Sequence, residues 1–154
     1  MTLTVHGTCV ALGGDAVLLR GPPGTGKSDL AYRLIAADPG GAAWLIADDQ
    51  VTITARAGRA MASAPENLPG GLELRGLGIV SLPSMKEAPV ALLVDLVARG
   101  EVERLPAPRT EKLDNIAVPV IRLHAFDATT PDKVRLALAS IPRSGFPQED
   151  GRLG

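Results

Sequence analysis

Gly21-Pro22-Pro23-Gly24-Thr25-Gly26-Lys27-Ser28 is the stretch that decides the fold. It fits G-x-x-x-x-G-K-[ST], a phosphate-binding loop. An apolar run, Ala16-Val17-Leu18-Leu19, leads into it, and a helical pattern from Ser28 to Ala37 leads out. That strand–loop–helix setting is what the motif needs. Glycines let successive backbone N–H groups turn inward as a cradle for phosphate oxygens. The helix starting beside Lys27 aims its positive dipole end at the same place. Lys27 is expected to reach the β- and γ-phosphates, and the Ser28 hydroxyl to ligate Mg²⁺.

Upstream, Thr4 to Leu12 and Ala16 to Leu19 read as two strands joined by Gly13-Gly14-Asp15, a hairpin placed ahead of the loop. Downstream, Leu30, Leu34 and Ile35 share a helix face, and Pro39-Gly40-Gly41 stops the helix. Trp44 to Asp49 is a short apolar run ending in two acids, Asp48 and Asp49. A nucleotide site needs an acid at the end of a strand beside its loop. Two adjacent acids suggest two jobs, one on a metal and one taking a proton. On an extended chain they point differently.

Val51 to Thr54 alternates as a strand, and residues 55 to 71 are expected to form a loop. Leu72 to Val80 reads as one extended segment, with Glu73 and Arg75 on one side and Gly76 and Gly78 allowing close approach. Pro89 to Val97 is a buried-strand pattern. Residues 99 to 117 are polar and contain proline. Val118 to Leu123 reads as an edge strand, because Pro119 cannot donate to a ladder. Thr130 and Pro131 read as N-cap and first residue of a second helix, with Val134, Leu138 and Ile141 on one face. Residues 1–141 are expected to form one domain, and residues 142–154 a mobile tail.

Composition narrows the function classes. The chain has 154 residues, 45% of them hydrophobic and 21% charged, with a net charge of -1. That suits a single soluble globular domain and offers no basic surface for nucleic acid or membrane. Aromatics are 3% of the chain, too few for a nucleic-acid stacking platform. Cys9, the one cysteine, has no internal disulfide partner, so a reducing cytoplasm is expected and the thiol is read as core. His6, taken alone, reads as a packed or surface residue. His124 reads as surface.

Taken together, His6-Gly7, GPPGTGKS, LIADD and LELRGLGIVSL resemble the catalytic domain of HPr kinase/phosphorylase. The Glu73-to-Ile79 segment is the specific element, because ordinary phosphate-loop proteins lack it. The resemblance implies one α/β phosphate-loop domain with a mostly parallel sheet and an N-terminal antiparallel hairpin, as in phosphoenolpyruvate carboxykinase. It implies ATP- and Mg²⁺-dependent phosphorylation of a serine on the phosphocarrier HPr, the reverse reaction, expected to be weak given the departures below, a role in sugar-phosphotransferase regulation, and a homo-oligomer. His6 matches an active-site histidine. Gly21, Pro22, Pro23, Gly24, Thr25, Gly26, Lys27 and Ser28 match the nucleotide loop, with Lys27 catalytic. Asp49 matches the acid/base. Asp48 would support it or the metal, and Ser28 and Glu73 would be metal ligands. Arg104 matches a later catalytic arginine.

There are departures too. The family's N-terminal domain is expected to be missing, its Pro-Gly-Arg-Asn element is not visible near Val118 to His124, and the match is expected to weaken beyond residue 82. That pattern is similar to a truncated form of the enzyme. Two other functions stay open, a small-molecule kinase and a nucleotide-binding module without turnover.

Overall fold

Ala16, Val17, Leu18 and Leu19 are all fully buried, which places their strand at the centre of the sheet. Their alternation divides the core. Val17 and Leu19 join Leu30, Leu34, Val134, Leu138 and Ile141 on the helical side. Ala16 and Leu18 join Cys9, Ile46, Val51, Ile53 and Val118 on the other. In the computed structural model, residues 2–67 and 70–154 are described. The strands are β1 (Thr2–His6), β2 (Thr8–Leu12), β3 (Asp15–Arg20), β4 (Ala43–Ala47), β5 (Gln50–Arg56) and β6 (Arg59–Ser63). They continue with β7 (Leu72–Leu74), β8 (Gly78–Val80), β9 (Glu87–Leu96), β10 (Thr110–Leu113) and β11 (Ile116–Leu123). The helices are α1 (Lys27–Ala36) and α2 (Thr130–Ser144), and a short 3-10 turn covers Arg99–Glu101.

The main sheet runs β1-β5-β6-β9-β3-β2-β4, with β11 on β9 and β10 on β11. The expected hairpin is present as β2–β3, but the single strand expected over Thr4 to Leu12 is broken at Gly7 into β1, which pairs with β5, and β2. The expected mostly parallel sheet is not. Among the described residues only β3–β9 and β9–β11 pair in parallel, and the other ladders are antiparallel. Parallel neighbours need long crossovers. Here Gly13-Gly14, Ala57-Gly58 and Asp114-Asn115 join successive strands in two residues, so those strands must run back. Ala57, Gly58, Asp114 and Asn115 all have positive φ, as tight hairpin turns require. Long β9 pairs first with β6 and then with β3 and β11, so the sheet curls and covers its own second face. Two helices therefore suffice for the first.

Other expectations shift. The loop expected over 55 to 71, of which 68 and 69 lie outside the described residues, contains β6 and the end of β5. The core side of β6 is Ala60 and Ala62, and alanine carries little strand signal. The segment 72–80 folds back as the β7–β8 hairpin, Leu72 facing Val80, so Glu73 and Arg75 do not share one straight strand. Gly76 and Gly78 have nothing within 4 Å of a would-be Cβ, and they serve the turn through φ of 93° and 104°. β11 is not an edge, since it lies between β10 and β9. Its ladder to β9 starts at Val120, just after Pro119, and the Val120 N–H donates to Arg109 on the opposite side. Thr129, not Thr130, caps α2. The Thr130 hydroxyl is buried and donates to the His124 carbonyl at 2.5 Å. The helix continues through Pro142 to Ser144, and Phe146 packs against the core.

Candidate active site

β3 carries the chain straight into Gly21–Ser28, and α1 leaves from Lys27. Gly26 is the N-cap of α1 with φ of 96°, a left-handed conformation that side chains resist. Its carbonyl accepts the Leu30 N–H at 2.9 Å. A Cβ there would lie 2.7 Å from Ala125 Cβ and 2.8 Å from Phe126 Cζ, so only glycine lets this part of the loop settle against the chain after β11. The Thr25 hydroxyl donates to the Pro22 carbonyl at 2.7 Å and pins the turn. Lys27 Nζ donates to the carbonyls of Gly21 at 2.6 Å and Pro22 at 3.2 Å, so the ammonium lies across the loop. Burial lowers the Lys27 pKa from its ordinary value, against the opposing attraction of Asp48 and Asp49.

The two acids after β4 part ways. Asp48 turns inward: its Oδ1 accepts from Thr8 Oγ1 at 2.8 Å and from Ser28 Oγ at 3.2 Å, and its Oδ2 accepts the Glu73 N–H at 3.3 Å. One carboxylate thus ties β2, the start of α1 and the β7–β8 hairpin together. Asp49 has φ of 69°, and its side chain is 71% exposed. The left-handed kink turns the second acid outward, where His6 Nδ1 lies 3.4 Å from its Oδ1. Gly7 makes that approach possible. A Cβ on it would meet the Leu19 carbonyl at 2.7 Å, and its own N–H donates to the Asp49 carbonyl at 3.0 Å.

His6, Lys27, Ser28, Asp48 and Asp49 are therefore brought to one corner. Glu73 joins them through its backbone, with its side chain exposed. Arg104 is not joined to them by any hydrogen bond or ion pair among the described residues. It lines a cleft of about 280 Å³ with Arg122, Leu123, Leu136 and Ile141. The residues fit Mg²⁺ in kind: a hydroxyl and a carboxylate are hard oxygen donors, and this ion usually takes one or two carboxylates plus phosphates and water. A full protein cage is not needed, and among the described residues no cluster of three or more His, Cys, Asp or Glu is poised as one.

Sequence reading missed several residues here. Thr8, fully buried, is one of the donors to Asp48, and its place directly after His6-Gly7 was the available signal. Arg20, just before the loop, donates to Asp95 at 2.8 and 3.2 Å and also to Glu111, locking β3 to β9 and β10. Burial opposes its charge, but Glu111 and Asp95 outweigh that and raise its pKa.

Residues 1–125 match the model of the HPr Serine kinase C-terminal domain, well past residue 82. The chain is similar to the HPr kinase/phosphorylase of Clostridium tetani, 40% identical over 81 residues, 53% of this chain and 25% of that protein. It is similar to that of Ralstonia pickettii, 34% identical over 129 residues, 77% of this chain and 38% of that protein. The fold is similar to the solved Hpr(Ser) kinase/phosphatase of Coxiella burnetii, with TM-score 0.76 and 25% identity, covering 89% of this chain and 88% of that one. The matches to these two curated relatives span 25% and 38% of their length.

Proposed function

The chain belongs to the HPr serine kinase C-terminal domain family, and on that premise we propose that it transfers the γ-phosphoryl group of ATP to a serine of an HPr-like phosphocarrier. The observation that carries this is the split between the acids. Asp48 is engaged with Thr8, Ser28 and the Glu73 N–H, while Asp49 stands free beside His6 and open to an incoming hydroxyl. The serine oxygen attacks the γ-phosphorus in line as the bond to the β–γ bridging oxygen breaks, and ADP leaves. Asp49 takes the serine proton. Lys27 leaves the loop carbonyls and follows the charge on the phosphates. Mg²⁺, held through Ser28 and Asp48 with Glu73 beside them, would neutralise charge on the β- and γ-oxygens. His6, whose Nδ1 lies 3.4 Å from the Asp49 carboxylate, would orient it.

The openness of Asp49 favours a protein acceptor over a small molecule, which would need an enclosed pocket. The reverse reaction is expected to be weak, since the chain lacks the Pro-Gly-Arg-Asn element near Val118 to His124. The proposal places the protein in phosphotransferase-system regulation in the cytoplasm, as a homo-oligomer. No helix among the described residues is long and apolar enough to cross a membrane. Labelled ATP, Mg²⁺ and HPr should yield phosphoserine on HPr, lost on Lys27→Ala. ATP binding without any transfer would leave only a nucleotide-binding module.

A further inference from the structure

Phe126 lies one residue past the stretch the family model matches and belongs to none of the motifs described above. The residue is 54% exposed, and its ring sits directly against the phosphate loop. The Gly26 contact shows how close: a Cβ on Gly26 would be 2.8 Å from Cζ and 3.0 Å from Cε1 of this ring. The segment that presents it is held on every side. Arg33, two turns into α1, donates to the Ala125 carbonyl and, at 3.4 Å, to that of Asp127. The Asp127 carboxylate accepts from Arg99 at 2.9 and 2.6 Å. His124 Nδ1 is 2.9 Å from the Val97 carbonyl, and its ring meets Phe126 edge-on with centroids 5.8 Å apart. The helix that begins at the loop thus also fixes the aromatic beside it.

We propose that Phe126 is the platform for the base of the bound nucleotide, a stacking subsite adjoining the phosphate cradle. The inference rests on reading Gly21–Ser28 as that cradle. A nucleotide anchored by its phosphates must lay its base on the surface near the loop, and this ring is a flat apolar surface there, pre-ordered so that little freedom is lost on binding. Phenylalanine has no hydrogen-bonding group, so it supplies stacking without choosing among bases.

The test compares ATP with inorganic tripolyphosphate, which has the phosphates and no base, each with Mg²⁺ and measured by calorimetry. Phe126→Ala should weaken ATP about tenfold or more and leave tripolyphosphate within about twofold, because stacking on an aromatic is lost and the cradle is untouched. Phe126→Trp should keep ATP affinity within about threefold of wild type, since a larger ring still stacks. Equal weakening of both ligands by Phe126→Ala would overturn the proposal and make the ring a support for the loop. Unchanged ATP affinity would overturn it as well. A wild-type protein that binds neither ligand would instead bring down the cradle reading beneath it.

Discussion

Replacing Gly26 with alanine should damage this protein more than the same change at Gly24, and the two together isolate the packing of the loop against Ala125 and Phe126. Both glycines have positive φ, 86° at Gly24 and 96° at Gly26. Each alanine therefore carries the left-handed backbone cost, about 1–2 kcal/mol. At Gly24 nothing lies within 4 Å of the new Cβ, so that is the whole effect. At Gly26 the Cβ would press to 2.7 Å on Ala125 Cβ and 2.8 Å on Phe126 Cζ. Overpacking of that kind adds about 1–3 kcal/mol. The expected excess for Gly26→Ala over Gly24→Ala is about 2 kcal/mol, or roughly 4–8 °C in Tm for a chain of this size. Urea and thermal unfolding without nucleotide read the difference directly. Adding Phe126→Ala to Gly26→Ala should recover only part of it, because the Ala125 contact remains. Equal losses for the two glycine variants would refute the packing of the segment after β11 against the loop.

Three further outcomes follow from the same contacts. Thr8→Val removes a buried donor to the Asp48 carboxylate and should cost about 1.5–3 kcal/mol in urea unfolding at pH 7; an unchanged midpoint would mean the carboxylate does not depend on it. The Asp38 carboxyl is held below its ordinary range, first by the Ala42 N–H at 2.8 Å and then with help from Arg135. A depressed folded pKa gives stability that is present above the unfolded value near pH 3.9 and is lost as pH falls through the folded one. The stability gap between wild type and Asp38→Asn should therefore narrow below about pH 4, and a gap constant down the acid limb would contradict this. Burial pushes the Cys9 thiol up to about 12, so a thiol reagent at pH 8 should label the unfolded chain and not the native one; rapid native labelling would place Cys9 outside the core.

The loop, its two flanking elements and the preceding hairpin were legible because each is written locally, in glycines, turn residues and apolar runs. The two acids were legible as a pair, but not their division. That rests on the left-handed φ of Asp49 and on Thr8, Ser28 and Glu73 converging from three other elements. The sheet's mixed character comes partly from tight turns such as Ala57-Gly58 and Asp114-Asn115, which were not read as hairpins, and partly from pairings between strands far apart in sequence, such as β1 with β5 and β6 with β9. β6 was hidden because Ala60 and Ala62 bury well without announcing a strand. Leu72 to Val80 was read as one straight segment, but the turn between its halves is marked by Gly76 and Gly78, the glycines that were read as allowing close approach. Arg104 lies within the matched stretch but in a separate cleft, beside Arg122, Leu136 and the far part of α2, a placement that depends on tertiary packing and not on local pattern.

The central claim is that Asp49 is the base of a phosphoryl transfer to serine, with Asp48 and Ser28 serving the metal. The most direct test is ATP affinity and the rate of phosphoserine formation on HPr, measured for wild type and Asp49→Asn. Asparagine keeps the shape and cannot accept the proton. ATP affinity should stay close to wild type, while transfer falls by roughly two to four orders of magnitude. Transfer at the wild-type rate would remove Asp49 from the chemistry, and a matching collapse of ATP binding would make it a metal or nucleotide ligand instead.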